Sequence, residues 1–155
     1  IFNVLAHGIG FDLEGARVLD LFAGTGALGF EAISRGARHC TFIEEGAEAR
    51  GVIRTNMENL GLNGVAKLLR RDATRHGGAG TKDPFNLVFA APPYGKGLGE
   101  MALASAAKGG WLQPGTLCVV EESAAAAPEF PRGFSELDRR QAGDSQVIFL
   151  KHQGA

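Results

Sequence analysis

The stretch from Arg17 to Gly29 constrains this chain more than any other. A short apolar run, Arg17-Val18-Leu19-Asp20-Leu21-Phe22, breaks into glycines, and Ala27 to Ser34 then carries apolar residues at helical spacing until Arg35-Gly36. A strand that is apolar on both faces must be covered on both faces, and a helix returning directly from it favours a parallel sheet. The alternation continues. Cys40 to Glu44 reads as a strand, Ala47 to Leu60 as a helix closed by Gly61-Leu62-Asn63-Gly64, and Val65 to Leu69 as a third strand. Asp72 to Gly80 is a polar, glycine-rich loop. Phe85 to Phe89 is a fourth strand stopped by Pro92-Pro93, Leu98 to Ala107 a helix, and Gly115 to Glu121 a fifth strand. Two β-like runs, Phe134 to Gln141 and Gln146 to Lys151, flank Gly143-Asp144 and read as a hairpin. The expected fold is α/β: a Rossmann-like, doubly wound, mostly parallel seven-stranded sheet with a C-terminal antiparallel hairpin.

Length and composition agree with one domain over 1–155. The chain has 155 residues, 45% hydrophobic and 21% charged. Its 23 glycines are scattered between apolar runs and so read as turns. A formal net charge of −1 gives no global basic field for nucleic acid. The local clusters Arg70, Arg71, Arg75 and Arg139, Arg140 read as solvated strand ends. Cys40 and Cys118 lie in apolar runs as buried thiols, without metal spacing. No signal peptide and no membrane-length apolar run is present, so a cytoplasmic protein without membrane attachment is expected. The opening Ile1-Phe2-Asn3-Val4-Leu5 reads as the middle of a helix, with a preceding segment expected.

Ligands of such sheets bind at the carboxyl ends of the strands. Gly24-Thr25-Gly26-Ala27-Leu28-Gly29 matches G-x-G-x-x-G, which by itself is met by a ligand-free glycine turn or a dinucleotide site. Two acids separate the cases. Asp20 lies four residues before Gly24, where a pyrophosphate wants free N–H donors rather than a carboxylate. An amino-acid ammonium or a sulfonium wants such an anion, so S-adenosylmethionine suits the loop better than a nicotinamide dinucleotide. Glu44 ends the next strand, about twenty residues on, the usual position for an acid that holds ribose hydroxyls. Asp72, ending the third strand, reads equally well as an acceptor for an adenine amino group or as a loop cap.

Ala90-Ala91-Pro92-Pro93-Tyr94 leaves the fourth strand. Two prolines fix an extended backbone and leave carbonyls unpaired in the ligand crevice. Tyr94 offers a flat face on which a base can stack.

These residues resemble amino-group methyltransferases, which carry (Asp/Asn/Ser)-Pro-Pro-aromatic at this point. The likeness narrows through Val18 to Gly29, Glu31-Ala32, Ser34-Arg35-Gly36-Ala37, Phe42-Ile43-Glu44, Asp72-Ala73, Pro92-Pro93-Tyr94 and Gly110-Trp111-Leu112 to the RsmD type of 16S rRNA guanine-N2 methyltransferase. Phe2-Asn3 is similar to that family's Leu-Phe-Asn helix. The resemblance implies methyl transfer from S-adenosylmethionine to the exocyclic amine of a guanine splayed out of small-subunit ribosomal RNA, by a monomer acting on that RNA or on the assembling small subunit. It implies cofactor contacts from Asn3, Asp20, Phe22, Gly24, Thr25, Gly26, Glu44, Glu45, Asp72 and Ala73, catalytic positions Ala91, Pro92, Pro93 and Tyr94, and no metal. The sequence departs from the family twice. Residues 1–155 do not include the basic arm expected before the first helix, and Ala91 stands where the family has Asp. A carboxylate there would accept a hydrogen from the target amine. Three alternatives stay open: an N6-adenine DNA methyltransferase, a catalytically weak S-adenosylmethionine-binding paralogue, and, last, a nicotinamide oxidoreductase.

Overall fold

A computed structural model describes residues 1–80 and 83–154. Seven strands form one sheet: β1 Arg17–Leu21, β2 His39–Ile43, β3 Ala66–Leu69, β4 Phe85–Ala90, β5 Leu112–Ser123, β6 Phe134–Ala142 and β7 Ser145–His152. Their spatial order is β3-β2-β1-β4-β5-β7-β6. The first five run parallel, and β7 runs antiparallel between β5 and β6. Strand order reverses between β1 and β4, so the fold opens its crevice at the carboxyl ends of those two strands.

Helices α1 Ala27–Ser34, α2 Ala47–Asn59 and α3 Leu98–Lys108 cover the sheet. Alternation along β1 sends Val18 to one face and Leu19 and Leu21 to the other. The first face packs Val18, Phe42 and Phe89 against Ala32 of α1 and Ile53 and Met57 of α2. The second packs Leu19, Val88 and Val120 against Ala102, Leu103 and Ala106 of α3. Both faces are dry, as the apolar runs of β1, β2 and β4 require.

The hairpin has the loop its sequence asks for. Ala142 pairs with Ser145, leaving Gly143-Asp144 as the loop, with Gly143 at φ 58°. The N-terminal residues are helical, as expected, but the helix widens to π pitch over Val4–Ile9 and ends at Gly10 in the left-handed region. The largest boundary error is at β5. The expected strand runs from Gly115 to Glu121, and the observed one from Leu112 to Ser123. The register against β4 slips between Phe85 and Leu87 to absorb the extra residues. Thr116 fills the gap, its hydroxyl donating to the Phe85 carbonyl at 2.8 Å and accepting the Gln113 N–H at 3.0 Å.

Candidate active site

The first β–α turn is built on glycines for two different reasons. Gly24 and Gly26 hold φ of 59° and 83°, left-handed values that side chains resist. Gly29 is needed for room. A Cβ there would collide with the Phe42 ring and lie 2.7 Å from the Cys40 sulfur, so its absence lets α1 sit against β2. Phe22, which enters the turn, is the one described non-glycine residue with positive φ, at 54°.

Helix α1 has no side-chain cap of its own at Gly26. Asp20 does that work from β1: its Oδ2 accepts the Gly29 N–H at 3.0 Å. This corrects the expectation for Asp20. Alternation along β1 points it towards α1, beneath the glycine loop, where it is 2% exposed. Burial pushes its carboxyl up to about 8; the Gly29 N–H opposes this and the nearby Glu44 charge adds to it. Burial therefore favours the protonated form of Asp20 at neutral pH.

Glu44 clamps the turn from β2. Oε1 accepts the Gly24 N–H at 2.7 Å and Oε2 accepts the Gly46 N–H at 2.8 Å. The backbone donors that would meet a pyrophosphate are thus occupied at Gly24 and Gly29, one of them by a charged carboxylate.

Beside this clamp lies a cavity of about 260 Å³, lined by Phe22, Ile43, Glu44, Glu45, Arg71, Asp72, Ala73, Ala91 and Pro93. Seven of the fourteen expected site residues thus meet in one cleft. Gly24 joins it through Glu44, and Thr25 and Gly26 follow in the same turn, Thr25 exposed and Gly26 buried. Asn3 does not meet the cleft walls; it is exposed, helical in backbone, and caps nothing.

Asp72 caps its own loop. Its Oδ1 accepts the Thr74 N–H at 2.9 Å and the Thr74 hydroxyl at 2.7 Å, and Arg75 lies 3.4 Å from Oδ2. The hydroxyl and N–H of Thr74 hold its pKa below the usual carboxylate value. Arg71 does more than the solvated strand end expected of it. It is exposed, but its Nη1 donates to the carbonyls of His76 and Gly78, and its guanidinium lies 5.9 Å from the centre of the Trp111 ring. The pairs Arg139–Glu136 and Arg140–Asp138 are exposed, in line with a solvated strand.

After β4, Pro92 is buried while Pro93 and Tyr94 are exposed. The Tyr94 hydroxyl donates to Glu121 Oε1 at 2.5 Å, and Glu122, itself buried, accepts the Gly95 N–H at 2.9 Å. Two acids ending β5 therefore latch the Pro-Pro-Tyr loop. Sequence reading missed them; paired acids at a strand exit were the available signal. The Glu121 bond raises the Tyr94 pKa. At position 91 the side chain is a methyl group, which offers no acceptor of its own.

Known proteins resemble this chain in sequence and fold. The profile of one family, described as Conserved hypothetical protein 95, matches residues 1–151. The Escherichia coli K12 protein named ribosomal RNA small subunit methyltransferase D is 35% identical over 155 residues, covering 99% of this chain and 74% of that one. Its Haemophilus influenzae namesake is 32% identical over 108 residues, covering 68% of this chain and 56% of that one. This chain therefore spans little more than half the length of the second relative. A solved structure, a conserved hypothetical protein of Streptococcus pyogenes, superposes with a TM-score of 0.81 at 26% identity, covering 99% of this chain and 96% of that one.

Proposed function

The chain belongs to the Conserved hypothetical protein 95 family, and from that premise we propose that it transfers a methyl group from S-adenosylmethionine to the exocyclic N2 amine of a guanine in small-subunit ribosomal RNA. The observation that carries this reading is the occupied glycine loop. Its donors at Gly24 and Gly29 bond to Glu44 and Asp20, which disfavours a dinucleotide phosphate and suits a ligand that is positively charged and carries a ribose. The names of the Escherichia coli and Haemophilus relatives point to the same substrate class.

The lining fits that cofactor. Glu44 keeps free lone pairs beyond its two backbone bonds and can accept from ribose hydroxyls. Phe22, Ile43 and Ala73 give apolar walls for an adenine. When bound, S-adenosylmethionine supplies an electrophilic methyl group on a sulfonium. The protein's own part is to position the amine. Pro92 and Pro93 fix the loop, Tyr94 presents an exposed ring for the splayed base, and Glu121 and Glu122 hold that ring and Gly95 in place. The carbonyls of Ala91 and Pro92 are the available acceptors for the amine hydrogens, and the proton lost on transfer goes to water.

Ala91 itself favours a second reading, an S-adenosylmethionine-binding paralogue with weak catalysis. Methyl transfer from labelled cofactor to naked 16S rRNA, assembled small subunits and duplex DNA tests both. Label in rRNA or subunits supports the first reading. Label in DNA alone would overturn the substrate assignment. Tight cofactor binding without label in any substrate would favour the second.

A further inference from the structure

A second cavity lies at the opposite end of the same sheet face. It encloses about 190 Å³ near the amino ends of β1, β2 and β4, and its walls include Arg17, His39, Thr41, Lys67, Phe85 and Trp111. It is distinct from the cofactor cleft: β2 gives His39 and Thr41 to this cavity and Ile43 to the other.

Its polar walls are cationic. Arg17 and Lys67 line it, and Arg38 is near enough to act on His39. The described walls include no carboxylate. Asp83 lies beside Arg17 and offsets part of its charge, and Arg17 Nη2 donates to the Asp83 main-chain carbonyl at 3.2 Å. Arg17 Nε is buried and meets no acceptor among the described residues. No described carboxylate forms an ion pair with Lys67. His39 shares a 2.8 Å hydrogen bond with Thr41, so a ring nitrogen and a hydroxyl stand beside the two cations.

We propose that this cavity is a phosphate-binding site, in which the Arg17 guanidinium and the Lys67 ammonium grip one phosphate group beside His39 and Thr41. Several convergent donors, two of them charged, suit a tetrahedral oxyanion better than a single carboxylate. The phosphate can come from an RNA backbone or from a free phosphorylated small molecule.

The imidazole reports occupancy. Burial, reinforced by the positive charges of Arg17, Lys67 and Arg38, holds His39 down to about 4. An anion among those cations reverses the electrostatic part, so the His39 pKa must rise. The experiment follows the His39 ring protons by NMR through a pH titration of the full chain, with and without inorganic phosphate at low ionic strength. Phosphate is expected to shift the titration upwards with saturable dependence. Lys67→Ala, at an exposed position, is expected to weaken that dependence roughly tenfold, the equivalent of one charge-assisted bond. A titration that phosphate leaves unmoved, or moves equally in the variant, overturns the site. Binding of an rRNA fragment to both proteins separates the sources. A loss in Lys67→Ala with a salt slope reduced by about one assigns the phosphate to RNA. Unchanged RNA binding beside a lost phosphate response assigns it to a free ligand. Neither readout uses methyl transfer, so failure of this site and failure of the proposed activity are distinguishable.

Discussion

Position 91 concentrates the chemical question in one side chain. The loop around it is intact: Pro92 is buried, Tyr94 is bonded to Glu121, and Gly95 to Glu122. Replacing the methyl group by a carboxylate adds one charge-assisted acceptor without disturbing that scaffold. Ala91→Asp is therefore expected to raise single-turnover methylation of small-subunit rRNA by about one to two decades, with cofactor affinity nearly unchanged. Equal rates in the two proteins would mean that main-chain carbonyls suffice. Glu44 tests the other half of the site. Glu44→Ala removes the ribose acceptor and releases the Gly24 and Gly46 N–H groups together, so S-adenosylmethionine binding measured by calorimetry should weaken by roughly 1–3 kcal/mol. Unchanged affinity would remove Glu44 from the cofactor site.

At the scale of elements, the contact between α1 and β2 depends on a missing side chain. Gly29 faces Phe42 and Cys40 so closely that any Cβ must push the helix off the strand. Gly29→Ala gains helix propensity and yet should lower stability by about 1–3 kcal/mol, read as a fall in the urea midpoint. A stabilised variant would show that the interface yields. The elements were largely legible in the sequence because each carries its own period and punctuation. Ala27–Ser34 begins and ends where its glycines put it. Contacts between elements were less legible. Nothing local in Asp20-Leu21-Phe22 says that the acid turns under the loop to cap α1. That follows from which face of β1 meets α1, a fact of the whole sheet. The latch of Tyr94 to Glu121 joins residues 27 positions apart, one in the loop after β4 and one on β5, strands whose pairing only the fold decides. Ala91 and Glu44 stood out because sequence places chemistry at strand exits. Asp72 stayed open until Thr74 and Arg75 were found bonded to it.

Across the whole molecule, buried titratable groups set a pH range for stability. Asp20 has its folded pKa raised to about 8, against about 3.9 in an unfolded chain. The folded state then binds more protons between those values, so Asp20 makes stability fall as pH rises from about 4 to 8, by at most about 1.4 kcal/mol per unit. His39 acts in the opposite sense. Its folded pKa is lowered to about 4 by burial and by Arg17, Lys67 and Arg38, so its contribution is present above about 6.5 and is lost as pH falls towards 4. Burial lowers His76 and His152 as well, which adds to the loss on the acid side. The slopes oppose each other below about pH 6.5, and above it Asp20 acts without them. Urea midpoints should therefore pass through a maximum near pH 6 and decline to pH 8. In Asp20→Asn, which keeps an acceptor for Gly29, the decline should disappear; if it persists, Asp20 is not its cause.

The protein has one tryptophan, and its surroundings make it useful. Trp111 is 1% exposed, its indole N–H donates to the Gly77 carbonyl at 2.7 Å, and His76 meets its ring edge-on with centroids 5.0 Å apart. Those partners belong to the loop that begins at Asp72 and Ala73, two walls of the cleft proposed to hold the cofactor. A dry indole emits towards the blue, and a protonated imidazole at its edge quenches it. The molecule thus carries its own fluorophore against the loop that walls the cleft. A titration with S-adenosylmethionine that orders Asp72 and Ala73 should change the intensity of that single emission, and Trp111→Phe should abolish the signal while leaving the cleft walls in place.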